Sequence, residues 1–459
     1  MIERLRAFTR RQAELFSRSE QLNYILRTSS EYYDADAAES LEKEINRHNN
    51  STEAAFLLKY YDTRQQSEEE RAMLNVVRSN YDDIPPELSA QLKTAFIAAN
   101  REFESGCDEA RYADALDTVF TLCRRVAALQ NRAHPMDGFL DRNQRGLTTA
   151  KLDGLMKAVK EACLNIVQNA PRSEEPRVEL PAEKTKLLCE ELSMEMGLDY
   201  KAGDIGDARL AFCNICGNRD VKVAVCKSDF KTWYFGMMHE LGHARYIFDT
   251  RPELEDNGLW LPASSAMDEA VALFFDTMVG RSRPYLSYLN GRLSVLGAHG
   301  RLDHRKRVRV TPTRLGCDTA TYLLHIIIRY EVEKLLLEGA ISVAELGNEW
   351  DRRTLEYLGV VGENYRETYG ADVHWTIGYI GYFPMYLLGR IYAHWIWANM
   401  PDQTEELENG RLGGALSYLR ENITQFGRLY TVDEIFERMG TEPETDRFMK
   451  YLEQSYFGD

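Results

Sequence analysis

The segment Met238-His239-Glu240-Leu241-Gly242-His243-Ala244 sets two histidines four residues apart, with a glutamate beside the first. On a helix, positions i and i+4 share a face, so both imidazoles meet one ion. Glu240 then lies near enough to accept a proton from water at that ion and is too poorly aimed to be a third ligand. A chance match in a chain of this composition arises roughly one or two times in a hundred. Two imidazoles, a carboxylate and an open fourth place form the usual catalytic zinc arrangement. The expected cofactor is therefore one Zn2+ per chain, with another divalent ion such as Co2+ as the alternative. The third ligand has to come from elsewhere. Ala266 to Phe275 reads as a buried helix carrying two acids, and a charge among apolar neighbours needs a metal or a partner. Glu269 is the first choice and Asp268 the alternative. His374, Tyr382 and Tyr386, in an aromatic stretch further on, are candidates to stabilise an oxyanion, although core packing explains each of them alone.

Those residues need elements to hold them. The flanks of the histidine pair, Asp229 to Phe248, suit a helix. Apolar residues recur at spacings of three and four in Leu41–Ile45, Leu88–Phe103, Tyr112–Leu129 and Leu152–Val167. Pro85-Pro86 marks a helix start, Thr148 and Thr149 are N-cap candidates, and a helix from Ala182 to Met196 should stop at Gly197. Gly378 to Met400 is apolar but contains Pro384, Arg390 and His394, which fits a buried helix better than a membrane span. Strand signals are few: Asp220 to Val225 alternates cleanly, and Arg305 to Val310 less so. The expected architecture is mainly α, with a small sheet beside the site.

The bulk numbers narrow the classes. With 459 residues, 44% hydrophobic and 28% charged, the chain has material for a large core. No Pro/Gly/Ser-rich linker divides it, and we read one catalytic unit with two helical lobes. A formal charge of −16 argues against nucleic acid or anionic membrane as partner. The basic run His304 to Arg309 reads as a solvated segment. Met1 to Leu22 lacks the apolar run of a signal peptide. The scattered cysteines, Cys213-x-x-Cys216 included, make no disulfide framework. These features point to the cytoplasm.

Several ordered motifs resemble the thermostable carboxypeptidase family of zinc peptidases, family M32. Glu269 follows His243 at the distance of that family's third ligand. Met278 to Arg283 resembles the helix after it. Thr313-Arg314-Leu315-Gly316-Cys317-Asp318 resembles the motif I-R-x-x-A-D. Asp372-Val373-His374-Trp375 and Gly381-Tyr382-Phe383-Pro384-Met385-Tyr386 resemble D-V-H-W and G-Y-F-P-T-Y. The resemblance covers residues 66–459, most strongly from Met136, and leaves 1–65 as a helical segment with little likeness. Departures are also plain. H-P-F falls at Leu210-Ala211-Phe212 without its histidine, H-E-S-Q-S becomes Asp268-Glu269-Ala270-Val271-Ala272, and D-V-R becomes Asp220-Val221-Lys222.

The resemblance implies a two-lobed helical zincin-type metallopeptidase with a deep active-site cleft. It implies His239, His243 and Glu269 as ligands and Glu240 as general base, with His374, Tyr382 or Tyr386 as oxyanion donors. Arg314 stands where the family's arginine would grip a free C-terminal carboxylate, with Asp318 one helical turn on to orient it. The implied activity is a metallocarboxypeptidase acting on peptides with a free C-terminus, and a homodimer is implied by the resemblance alone. The alternatives are an endopeptidase or aminopeptidase on the same fold, or a metal-binding relative without turnover.

Overall fold

The computed structural model describes residues 1–28, 35–81, 84–172, 177–200, 204–208 and 211–458. It is mainly helical, with one three-stranded sheet among the described residues, as the periodicities require. The chain divides into two compact units, each assembled from separate stretches of sequence.

One unit comprises residues 1–81, 175–304 and 388–443. Its sheet has the order β1-β3-β2, with β1 (Gly206–Asp207) parallel and β2 (Phe212–Gly217) antiparallel to β3 (Asp220–Val225). In β3, Val221, Val223 and Val225 are buried while Asp220 and Lys222 are exposed, the alternation expected of a strand with one buried face. The edge strand β2 is covered by the N-terminal helix Ile2–Thr28, whose Gln21 donates to the Cys216 carbonyl at 2.9 Å and whose Glu20 accepts from Asn214. Covering the edge in this way removes a template for unwanted pairing. After β3, Asp229 caps the helix Phe230–Asp249 by accepting from Lys231 and Thr232 N–H. Its apolar face, with Trp233, Tyr234, Met237, Met238 and Leu241, is buried.

The second unit comprises residues 82–174, 305–387 and 444–459. Its helices include Pro86–Ser105, Glu109–Gln130, Thr149–Asn169 and Thr319–Glu338, with Thr148 the N-cap of the third. Helix Thr319–Glu338 is buried on nearly all sides, and it carries Arg329 and Glu333 into the core.

Two sequence expectations need correction. Arg305 to Val310 forms no strand; the run lacks regular structure, and its charges interrupt any buried face. The expected helix from Ala266 to Phe275 ends at Leu273 and passes into a π-helical turn, Phe274–Val279. The apolar stretch from Gly378 does contain a helix, but only from Phe383 to Asn399. Before it, the 3-10 turn His374–Ile377 ends at Gly378, and Gly378 and Gly381 adopt φ of 84° and 71°, which side chains with a Cβ resist. No described helix is long and apolar enough to cross a membrane.

The loop between those glycines is tied to the core by Glu333, whose Oε1 accepts the Gly381 N–H at 2.5 Å. Burial pushes the Glu333 carboxyl up to about 7, against the Gly381 N–H, which pulls it down. The folded-state value lies above the ordinary one, so the stability it contributes is full at low pH and lost as pH rises through about 7. Replacing Glu333 with Gln keeps an acceptor for Gly381 and removes the titration. The melting temperature of the parent, measured against Glu333→Gln, should fall between about pH 5 and pH 8. Parallel melting curves over that range would remove Glu333 as the source.

Candidate metal centre

His239 and His243 project from one face of the helix Phe230–Asp249, with ring centres 5.0 Å apart and planes at 84°. Glu269 comes from the helix Ser265–Leu273, which Ser264 caps by accepting the Met267 N–H. One ligand atom from each of His239, His243 and Glu269 lies within 4.8 Å of the others, the one such group among the described residues. His239 Nε2 stands 3.9 Å from Glu269 Oε2. A tetrahedral ion with bonds of about 2.0–2.2 Å needs donors about 3.3–3.5 Å apart, so this pair needs a closure of a few tenths of an ångström, and the group as a whole, spread over up to 4.8 Å, needs no more than side-chain movement of about an ångström. The donor set, two imidazoles and a carboxylate, also suits a divalent cation. The residues fit the ion.

The packing around Glu269 depends on two glycines, Gly242 on the histidine helix and Gly389 on the helix Phe383–Asn399. A Cβ on Gly242 would stand 2.6 Å from the Ala272 Cα, inside the backbone of the Glu269 helix. A Cβ on Gly389 would stand 2.8 Å from the Glu269 Cβ. The helix that carries Glu269 is thus packed at Ala272 against Gly242 and at Glu269 against Gly389.

Two further acids face the imidazoles. His243 Nδ1 stands 3.0 Å from Asp268 Oδ1, close but off line for a hydrogen bond. His239 Nδ1 stands 3.7 Å from Asp276 Oδ2. With each Nδ1 turned to a carboxylate, each Nε2 remains for a ligand, the arrangement that fixes ring orientation and raises ligand basicity at metal sites. Asp268, the alternative third ligand in the sequence, instead stands behind the second imidazole. Asp276 was not singled out in the sequence at all, because only the π-helical turn beginning at Phe274 brings it into this position.

The electrostatics follow from burial among acids. Burial lowers the His243 pKa, but Asp268 and then Glu269 outweigh it and lift the ring to about 10. Burial raises the Glu240 carboxyl above the usual range, against the pull of the two imidazoles. Burial would raise Asp276 too, but the His239 ring overcomes it and holds that carboxyl low. Cys213 on β2 is a buried thiol raised by desolvation and then by Glu240 and Asp268, so it is held as the neutral thiol.

The remaining expected site residues lie in the second unit. Arg314 Nε donates to Asp372 Oδ1 at 2.6 Å, and Arg329 Nε donates to Asp372 Oδ2 at 2.7 Å. Burial opposes ionisation of Asp372, but Arg329 and Arg314 hold its carboxyl well below the ordinary range. Asp318 does not orient Arg314. It is the N-cap of helix Thr319–Glu338, and it also accepts from the Arg309 N–H and the Tyr456 hydroxyl. His374 Nε2 and the Tyr386 hydroxyl stand 3.0 Å apart, and Tyr382 packs against both rings. The Arg314 guanidinium carbon lies 5.4 Å from the Tyr386 ring centre. Of the missing H-P-F match, Leu210 lies outside the described residues, and Phe212 begins β2.

Residues 18–456 match the family described as Carboxypeptidase Taq (M32) metallopeptidase. The chain is 28% identical over 419 residues to Carboxypeptidase 1 of Bacillus subtilis, covering 85% of this chain and 83% of that one. It is 25% identical over 399 residues to Thermostable carboxypeptidase 1 of Pyrococcus furiosus, covering 81% and 80%. In fold it is similar to Trypanosoma cruzi metallocarboxypeptidase 1, with a TM-score of 0.86 and 22% identity over 99% of this chain and 98% of that one.

The glycine contact gives a direct test of how the centre is assembled. Gly242→Ala should push the two ligand helices apart, costing about 1–3 kcal/mol of stability and a clear loss of metal affinity. Chemical denaturation with metal titration would check both, and normal metal affinity would show that the close approach is not required.

Proposed function

The chain belongs to the carboxypeptidase Taq (M32) metallopeptidase family, and from that premise we propose that it removes single residues from the free C-termini of peptides. Metallocarboxypeptidase activity comes with the family; the ion, the base and the substrate contacts are our assignment. We assign the ion as zinc, held by His239, His243 and Glu269. When bound, it supplies Lewis acidity toward the scissile carbonyl and acidifies water toward a pKa near 7.

Glu240 is the general base. Its carboxylate accepts a proton from water as the oxygen attacks the carbonyl carbon, and it returns that proton to the amine nitrogen as the C–N bond breaks. Burial favours this shuttle, because a carboxyl held above its usual range keeps a proton more readily at neutral pH. Asp268 and Asp276 fix the imidazole rings. The Tyr386 hydroxyl is the preferred donor to the developing oxyanion, with His374 keeping it in place and Tyr382 beside it.

The observation that carries the exopeptidase assignment is a surplus of positive charge. Two guanidiniums share one carboxylate, Asp372. Arg329 is wholly buried, so its charge is spent in the interior, whereas Arg314 remains part-exposed; its Nε is taken by Asp372 and its Nη1 makes only a long contact, 3.5 Å, to the Tyr322 hydroxyl. A part-exposed planar cation whose Nη groups are held only weakly matches a peptide carboxylate bidentately. Asp318 contributes only by capping the helix that follows Arg314. The same assignment takes the enzyme to act in the cytoplasm as a homodimer.

Digestion of matched peptides with free and amidated C-termini, read by mass spectrometry, tests the assignment. A ladder of single-residue losses from free termini only is the expected result. Internal cuts would move the protein to the endopeptidase class, and amino-terminal losses to the aminopeptidases. Glu240→Gln should retain stoichiometric metal and lose activity by a factor of about a hundred or more. Retained turnover would remove Glu240 as the base. Arg314→Ala should raise KM chiefly for free-carboxylate peptides, roughly a hundredfold. Equal loss on peptides lacking that carboxylate would remove its role.

A further inference from the structure

Between His374 and Tyr382 lies Tyr379, a residue to which the roles above assign nothing. It is 44% exposed, while His374 is buried. A single exposed tyrosine is ordinary on a protein surface. Tyr379 is distinguished by how firmly it is held. Its N–H donates to the His374 carbonyl at 2.9 Å. Gly378 closes the preceding 3-10 turn in the left-handed region, and a Cβ there would stand 3.0 Å from the Phe96 ring, so the turn is pressed against the core beneath it. On the other side, Gly381 is tied to Glu333.

Between these fixed points the Tyr379 ring stacks on Tyr382, with centres 4.9 Å apart and planes at 25°. Tyr382 in turn meets Tyr386 edge-on at 5.3 Å. The Arg314 guanidinium stands against Tyr386. The three rings form a ladder that starts at the cation and ends at Tyr379, whose backbone is fixed and whose side chain remains in part accessible.

We propose that Tyr379 is a specificity-determining residue whose ring receives an aromatic or flat apolar side chain of the peptide on the acyl side of the scissile bond. The proposal rests on Arg314 taking the terminal carboxylate. An extended peptide advances about 3.3–3.6 Å per residue. The ring-to-ring steps of 5.3 and 4.9 Å, counted from the tyrosine against Arg314, therefore span at most about three residues of extended peptide, which reaches past the terminal residue. The bond cut by a carboxypeptidase lies between the last residue and the one before it, so a side chain at Tyr379 belongs to the part retained after cleavage. Stacking on a ring that is already fixed loses little further entropy, which is why rigid tyrosines serve well in recognition.

The test uses acetylated peptides ending in free Ala-Ala, with either Phe or Gly as the third residue from the C-terminus. The wild type should prefer the Phe peptide. Tyr379→Ala should lower the ratio of kcat/KM for Phe over Gly by roughly three- to tenfold, mainly through KM. Tyr379→Phe should keep that ratio, because the ring face is retained. Equal losses on both peptides, or an unchanged ratio in Tyr379→Ala, would overturn the proposal. Internal cleavage by the wild type would overturn the carboxypeptidase assignment and this role with it. That outcome is visible without any variant and is therefore distinct from a failure of Tyr379.

Discussion

Glu269 reaches the two imidazoles only because the helix that carries it lies against Gly242. An added Cβ at that glycine would sit 2.6 Å from the Ala272 Cα, a distance that no packed pair of backbones allows. The residue between Leu241 and His243 is thus fixed by a neighbour distant in the chain, while the histidine spacing is fixed by the helix itself. Gly389 performs the same service on the far side of Glu269. The distance from Glu269 to the imidazoles therefore rests on helix–helix packing, in which Ala270, Val271 and Ala272 beside Glu269 are buried.

Such packing buries charge, and buried charge has to be answered. Each answer in this chain is specific. Asp276 faces His239 and Asp268 faces His243, so that the rings are oriented while their Nε2 atoms stay open. Asp372 answers two arginines at once and leaves one positive charge over. Glu333 has no cationic partner among the groups that act on it, the Gly381 N–H and the Trp375 indole being neutral, and its carboxyl rises toward neutrality instead. The three cases cover the outcomes available to a buried carboxyl: pairing with a group that also serves a ligand, pairing that leaves a usable surplus, and retention of a proton.

What the sequence disclosed follows the same division between local and distant causes. The H-E-x-x-H helix, its Asp229 start and the strand Asp220–Val225 are written in spacings of a few residues, and they are found as read. Glu269, which lies with the two imidazoles in one group able to hold an ion, is legible as a candidate because an acid among apolar residues needs a partner. The β2 strand was not, since Phe212-Cys213-Asn214-Ile215-Cys216 buries residues on both faces and shows no alternation. Asp276 depends on a π-helical turn that no periodicity signals. The choice of Asp318 as the partner of Arg314 failed for a related reason. An acid four residues away is the obvious partner on a helix, but Arg314 precedes the helix and Asp318 is occupied in capping it, leaving Asp372, 58 residues on, to pair with the arginine.

The departure at Asp268 has an electrostatic consequence that links these observations. Where the family's motif has a histidine before the third ligand, this chain has an acid, so Glu240, Asp268, Glu269 and Asp276 bring four carboxyl groups around two imidazoles. Such a surplus of acid favours a divalent cation, which adds to the positive charge that the imidazoles and Arg390 bring to the same acids. The same surplus repels a second anion. On the proposed function, a peptide's terminal carboxylate therefore gains nothing from these acids and takes its cation from other residues. Arg314, with its share of Asp372 already divided with a buried arginine, is such a cation, and on the proposed roles its surplus charge is what makes an acid-rich metal centre compatible with a substrate that ends in a carboxylate.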